Sequence, residues 1–491
     1  MEKGIRHLLD ESEKRAVLTV NAATSVNART SLAMGSVMRM VNWESVINMV
    51  ETGHSVKPPP PQRRWLCVAA VVMMSVAFPL YAEEPLSIKE PLSMAAAVVE
   101  VVEANPDLAT ISARAEALAA LPDQQGTLPD PRLSLKFLNL PTDSFSFSQE
   151  AMTQTQLGVS QMLPFPGKLG LRQEAAQAMA SAASFGVEEL RLKLVRDVKL
   201  VWWNLFFLDR ALEIVENNQT LMRQFIEVAE SKYSVGKGLQ QDVLLAQLEL
   251  SKLFDSQVEL EGRRRNEAIR LSTLLDRPAT APIVLPRKVD EGFPSPRDEA
   301  QLVARAAEVR PLLAASEQRL EAARLRLALA RKDYYPDFSV GMAYGLRQGD
   351  NPNGSSRADL VSLMFGMSLP LYTATRQDRA VDQRSAERME QRYALADARN
   401  RIEAAIGRAL SDYRRGSEKA ELFRNGIIPQ ARQTVSSMLA GYQVNKVDFL
   451  NVVRAQITLY NYETQYWNAL SKARQATARL AAAVGEENVY E

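Results

Sequence analysis

The sequence predicts a mainly α-helical, internally duplicated fold with a small membrane β part, each copy running helix, strand, strand, long helix, turn, helix. Three observations carry that prediction. The first is a repeat. Asn105-Pro106-Asp107-Leu108 and Pro131-Arg132-Leu133-Ser134-Leu135 correspond to Arg310-Pro311-Leu312-Leu313 and Pro336-Asp337-Phe338-Ser339-Val340 at an offset of 205 residues. Tyr233-Ser234-Val235-Gly236-Lys237 and Ala246-Gln247 correspond to Tyr442-Gln443-Val444-Asn445-Lys446 and Ala455-Gln456 at an offset of 209. A chance likeness does not hold its register over four points. The second is strict alternation of apolar and small or polar residues in four short segments, the period of a strand. The third is a heptad spacing in the long segments between them.

Taken in order, the chain begins with a leader, residues 1–82. Arg63 and Arg64 precede an apolar run at 65–80 (WLCVAAVVMMSVAFPL), and Tyr81-Ala82 precede Glu83-Glu84. A basic region, an apolar core of about 15 residues and a small exit residue describe a secretory signal peptide. The rival, a transmembrane helix, wants about 20 apolar residues, and this run is shorter and contains Pro79. The first repeat then spans 83–290 and the second 291–491. Strands are expected at about 132–139 and 154–163 in the first copy, and at about 337–346 and 359–369 in the second. Leu133, Leu135 and Phe137 alternate with Arg132, Ser134 and Lys136. Val340, Met342 and Tyr344 alternate with Gly341, Ala343 and Gly345.

The helices carry the other period. From Leu194 to Tyr233 apolar residues recur at spacings of four and three, and Gln219 alone breaks the apolar rule. Ile402, Ile406, Ala409, Tyr413, Gly416, Ala420, Phe423 and Ile427 repeat the pattern with smaller residues. Pro166 to Tyr233 is long enough for one helix of roughly 100 Å at about 1.5 Å per residue.

Composition removes most catalytic chemistry. The only histidines, His7 and His54, and the only cysteine, Cys67, lie in the leader. The remainder has no histidine or thiol for zinc binding, disulfides, nucleophilic attack or imidazole acid–base work. Lys+Arg is 59 against Asp+Glu 58, which gives no support to nucleic-acid binding. No catalytic site, cofactor or metal site is expected, and no buried titratable pair is evident. Most methionines outside the leader are scattered, and Arg263-Arg264-Arg265 reads as a solvated helix face.

Strands of about ten residues with one apolar face suit an outer-membrane barrel; the alternative is a half-buried sheet in a soluble domain. The leader and the polar loops at 140–153 and 347–358 favour the barrel. Four strands cannot close one, because membrane barrels begin at eight and open edges are not tolerated in lipid. The chain must therefore supply strands to an oligomer, and three copies would give twelve. All helices leave from one end of such a barrel, the periplasmic end for an exported protein. A secreted coiled-coil structural protein would explain the heptads but not the paired strands.

The sequence resembles the TolC-type outer-membrane efflux family over about residues 90–485. The residues carrying the likeness are Asn105-Pro106, Leu121-Pro122, Pro129-Asp130-Pro131, Pro164-Phe165-Pro166-Gly167-Lys168 and Leu274-Leu275-Asp276-Arg277-Pro278. Most specific is Tyr233 to Gln247 (YSVGKGLQQDVLLAQ), with a degenerate copy at 442–456. The resemblance implies a homotrimer in outer-membrane lipid, with a twelve-stranded barrel and a long periplasmic helical tunnel. It implies a passive exit duct that docks on a periplasmic adaptor and an inner-membrane resistance-nodulation-division pump. The likeness is greatest to the branch serving heavy-metal pumps; drug efflux and type I protein secretion are the alternatives. It also places the two helix-to-helix turns, 234–241 and 443–450, at a narrow periplasmic aperture. The residues it marks there are Gly236, Lys237, Gly238 and Asp242 in the first turn, and Asn445, Lys446, Asn451 and Arg454 in the second. Many relatives are acidic in the second-copy stretch; Asn451 and Arg454 depart from that. Asp242 also reads as a helix cap or first-turn carboxylate, and Gly236 and Gly238 as the source of the turn's backbone freedom.

Overall fold

A computed structural model describes residues 91–490. The leader with its apolar run, both histidines and the cysteine lie outside the described residues. Short helices α1 (Met94–Ala104), α2 (Pro106–Ala119) and α3 (Leu121–Gly126) lead into strands β1 (Arg132–Leu138) and β2 (Gln154–Leu163). Then come the long helices α4 (Lys168–Ser234) and α5 (Gln240–Leu274). The second copy repeats the order with α6 (Glu299–Val309), α7 (Pro311–Lys332), β3 (Phe338–Leu346), β4 (Leu360–Met367), α8 (Gln377–Leu422), α9 (Ile428–Gln443) and α10 (Phe449–Val484). Asn105 opens α2 by accepting the Asp107 and Leu108 amides on its side chain, with Pro106 at the first helical position. Arg310-Pro311 opens α7 with the proline but without a side-chain cap.

The sheet runs β1-β2-β3-β4, every pair antiparallel. Its register aligns Leu133, Val159, Met342 and Leu363 in one row, and Leu135, Leu157, Tyr344 and Val361 in another. These apolar rows are exposed, Leu363 to 82 % and Leu133 to 72 %. The adjacent row on the other face is Ser134, Gly158, Ala343 and Ser362. A methyl added at Gly158 would lie 3.1 Å from Ser134 Oγ and 3.2 Å from Ala343 Cβ, so small residues are packed tightly there. An apolar face toward solvent and a small polar face opposite is the reverse of a soluble half-buried sheet. It is the pattern of a strand set in lipid. The outer edges of β1 and β4 have no partner strand among the described residues.

The corner where the strands meet the helices explains the Pro164–Lys168 motif. Gly167 takes a positive φ of 84°, and Lys168 beside it is almost fully buried. Its ammonium reaches Asp337 at 2.9 Å and Asp333 at 3.2 Å and donates to the Tyr335 carbonyl at 3.2 Å. Phe165 stacks on Tyr335 with ring centroids 4.5 Å apart. The entry to α4 is thereby clamped to the exit of α7.

Helix α4 is 67 residues long, about 100 Å at 1.5 Å per residue. It packs against α5, α7 and α10. Leu194, Val198, Val201, Leu205, Leu208, Val215, Met222 and Ala229 of the expected seam are buried. So is Gln219, whose amide donates to Gln257 Oε1 at 2.7 Å. In the second copy the seam is buried as far as Phe423 but Ile427 is not. A π-turn at Phe423–Ile427 inserts a residue just before Pro429, and burial passes to Ile428. The reading of Arg263 to Arg265 as a solvated face holds for Arg263 and Arg265, which are exposed, but not for Arg264, which pairs with Asp209 and donates to the Ile283 carbonyl at 3.1 Å. Among the described residues no helix is long and apolar enough to cross a membrane.

Candidate functional site

The two helix-to-helix turns sit side by side and are built by the same device. At the end of α4 the Gly236 amide donates to the Tyr233 carbonyl at 3.0 Å and the Lys237 amide to the Lys232 carbonyl at 2.8 Å. At the end of α9 the Asn445 amide donates to Tyr442 at 3.1 Å and the Lys446 amide to Gly441 at 2.9 Å. This is the Schellman arrangement, which needs a left-handed residue just past the helix. Gly236 supplies it with φ 70° and Asn445 with φ 61°. The repeat preserves a backbone conformation while changing the residue. Gly238 has no positive φ. It is needed for space, since an added Cβ would lie 3.0 Å from the Tyr233 amide nitrogen.

The turns are joined across the repeat. Lys232 donates to Asn445 Oδ1 at 2.7 Å and to the Tyr442 carbonyl, and its ammonium lies 4.1 Å from the Tyr442 ring centroid. Beneath them Phe225, Met222, Ala229, Ala246, Tyr442, Phe449 and Val452 form a separate apolar cluster. Phe449 contacts Tyr442 at 5.1 Å and Phe225 at 6.3 Å between ring centroids. Neither Lys232 nor Tyr442 stood out in the sequence. Tyr442 was visible only as the repeat partner of Tyr233, and no spacing rule links Lys232 to a residue 213 positions away.

Asp242 is a first-turn residue of α5; the cap position is Leu239, whose side chain cannot accept. The Asp242 carboxyl titrates above its ordinary range, chiefly because it is desolvated, with Asp448 adding repulsion. Asn451 and Arg454 are exposed on the first turns of α10, and Lys237 and Lys446 are exposed at the two turns. The arrangement presents amides, two lysines and an arginine, with no cluster of three His, Cys, Asp or Glu able to hold a metal among the described residues.

A buried ion pair that the sequence did not disclose lies far from the turns. Arg310 donates to Glu189 at 2.8 Å, with side chains 8 % and 7 % exposed. Desolvation lowers the Arg310 pKa and Glu189 opposes that.

A repeated fold with a lipid-type sheet and a long helical body defines an outer-membrane channel subunit. The chain belongs to the outer membrane efflux protein family, whose model matches residues 97–277 and 302–486. Those two blocks fall one in each repeat. Among curated relatives it is similar to the cobalt-zinc-cadmium resistance protein CzcC of Cupriavidus metallidurans, at 21 % identity over 427 residues, 84 % of this chain and 93 % of that one. Among solved structures it is similar to the outer membrane protein VceC of Vibrio cholerae, with TM-score 0.67 and 18 % identity over 80 % of this chain and 97 % of that one. It is also similar to CusC, a structure described in terms of folding and transmembrane channel formation. There the TM-score is 0.68 and the identity 16 %, over 80 % of this chain and 92 % of that one. The protein is an outer-membrane efflux channel.

Proposed function

We propose that three copies of this chain close a twelve-stranded barrel and form the passive, non-enzymatic exit duct of a tripartite efflux system. Its partners in this reading are a periplasmic adaptor and an inner-membrane resistance-nodulation-division pump, and its cargo is heavy metal. The single observation that carries the reading is an open-edged four-stranded sheet with an apolar outer face, joined through the Lys168 corner to a helix of 67 residues. Lipid does not tolerate the two free edges, so they must pair with other copies. The likeness to the cobalt-zinc-cadmium resistance protein supports the cargo. The paired turns, with Gly236, Lys237, Gly238, Asp242, Asn445, Lys446, Asn451 and Arg454, form the periplasmic aperture and adaptor contact. The test is a growth-inhibition panel on a strain lacking the gene, with and without a complementing copy. It should cover copper, silver, zinc, cobalt, cadmium, dyes, bile salts and antibiotics. Hypersensitivity confined to metals is the expected result; sensitivity to dyes and drugs alone removes the metal assignment.

A further inference from the structure

The helical body has one covered and one uncovered face. On α4, Leu194, Val198 and Leu205 pack with α1 and with Ile283 and Leu285 of the 275–298 linker. Arg474 of α10 holds the same linker through the Asp290 and Gly292 carbonyls at 2.8 and 2.7 Å. Gly407 of α8 abuts Glu299 of α6, where an added Cβ would lie 2.9 Å from the carboxylate. In the duct reading, the face turned away from this belt is the inner wall. Lys193 and Arg196 lie toward it on α4, about half a turn from the covered residues at roughly 100° per residue, with Glu189 buried beside them against Arg310.

Two adjoining cavities of about 470 and 390 Å³ open on that uncovered face and share Asp412 and Arg479. Their walls hold nine basic residues and two acidic ones, Glu189 and Asp412. Five of the nine are ion-paired: Lys193 and Arg310 with Glu189, Arg415 with Asp412, Arg196 with Asp197 and Arg401 with Asp397. Arg408, Lys419, Lys472 and Arg479 have no carboxylate within 4.0 Å among the described residues. Arg310, 8 % exposed, lines the larger cavity with Nε and Nη1 unpartnered. A chain with 59 basic and 58 acidic residues gives no compositional reason for four unpaired cations gathered in one groove.

The bias runs the length of α10. Every third or fourth residue from Asn451 to Arg479 is exposed or half-exposed, and these nine positions hold only Asn, Thr and Gln with the cations Arg454, Lys472 and Arg479. We infer that this groove is an anion-binding, anion-selecting segment of the duct, past which cargo travels as an anion or anionic complex and not as a bare divalent cation. A concave wall of one sign focuses its field and enriches counter-ions by about tenfold or more.

The inference rests on the duct reading, and one experiment separates the two. Purified full-length protein is inserted in a planar bilayer, and the reversal potential is read across a tenfold KCl gradient. Discrete conductance steps with a chloride-to-potassium permeability ratio above one are expected. Lys472→Glu combined with Arg479→Glu should bring the ratio below one, and the neutral pair Lys472→Gln with Arg479→Gln should fall between. Arg414→Glu, on the α6 side of α8, should leave it unchanged. Potassium selectivity in the wild type, or a ratio insensitive to both pairs in protein that still runs as a heat-sensitive oligomer, overturns the inference while leaving the duct. Absence of any conductance steps removes the duct, and the inference with it.

Discussion

Lys232 of the first repeat is bonded to Asn445 of the second at 2.7 Å, so the two turns of one subunit are held by a side chain rather than by backbone continuity. A hydrogen bond to a charged group contributes about 1.5–3 kcal/mol, and a cation over an exposed ring about 0.5–1 kcal/mol. Lys232 is half-exposed, which puts the bridge at the low end, about 1–2 kcal/mol. Lys232→Met should therefore speed amide exchange at 443–448 by about tenfold, since 1.36 kcal/mol is a factor of ten. The sheet and the Lys168 corner should be unaffected. Unchanged exchange in those amides would show that the bridge does not hold the turn.

Asn445 and Gly236 occupy one backbone position in two chemical forms, and they should respond differently to substitution. A side chain forced left-handed costs about 1–2 kcal/mol, less for Asn. Asn445→Ala raises the strain and loses the Lys232 acceptor; Asn445→Gly loses the acceptor but relieves the strain. Thermal unfolding should rank Asn445→Gly above Asn445→Ala by about 1 kcal/mol. Gly236→Asn, which copies the second turn, should be milder than Gly236→Val. Equal melting of the two Asn445 variants would mean that the left-handed conformation is not what selects the residue.

The architecture was legible because it is periodic. Alternation located β1 to β4 to within two residues, and heptad spacing located the seam of α4, since both follow from which faces must be buried. What periodicity does not encode was lost. The π-turn before Pro429 shifted burial from Ile427 to Ile428, a local accommodation invisible to a fixed period. Gln219 was legible only as an exception, and its reason, Gln257 on the neighbouring helix, is a contact between helices. Arg264 looked like one of three equivalent arginines until the 275–298 linker was placed against it. The same holds for Lys232 with Asn445 and Glu189 with Arg310: long-range pairs carry no spacing signature. The eight residues proposed for the aperture were nameable because the family resemblance marks the two turns, not because their chemistry announces a site.

Lys168 ties the barrel end to the helical body, and its removal should be felt by the whole assembly. Lys168→Met leaves Asp337 and Asp333 without their cation in a corner where the lysine side chain is only 3 % exposed. Asp333 and Asp337 are 47 % and 28 % exposed and water reaches them, so the loss falls below that of a fully buried pair, at about 1–3 kcal/mol. The expected outcome is loss of the heat-sensitive oligomer from the outer-membrane fraction. Lys168→Arg, which keeps the charge, should retain part of it. An unperturbed oligomer in Lys168→Met would show that the strand and helix contacts suffice without the clamp.

The tip and the corner should answer acid in opposite directions. Burial alone would raise the Asp337 carboxyl, but the Phe165 amide and the Lys168 ammonium outweigh it and hold the pKa below the usual carboxylate range. A carboxyl depressed in the folded state adds stability that is present above its unfolded pKa and lost as pH falls through the folded one. Asp242 is the reverse, raised first by desolvation and further by Asp448. Its fold prefers the protonated form, so stability there declines as pH rises from the unfolded value through the raised one. Lowering pH from neutral into the range just above the ordinary carboxylate value should therefore protect amides around Leu239 to Val243 while the corner holds; only stronger acid should loosen Lys168 and Asp337. Exchange rates corrected for intrinsic pH dependence read both regions in one experiment. Asp242→Asn should abolish the gain at the tip and leave the corner's acid response intact. Loss of protection at the tip in mild acid would overturn the assignment of Asp242 as the group responsible.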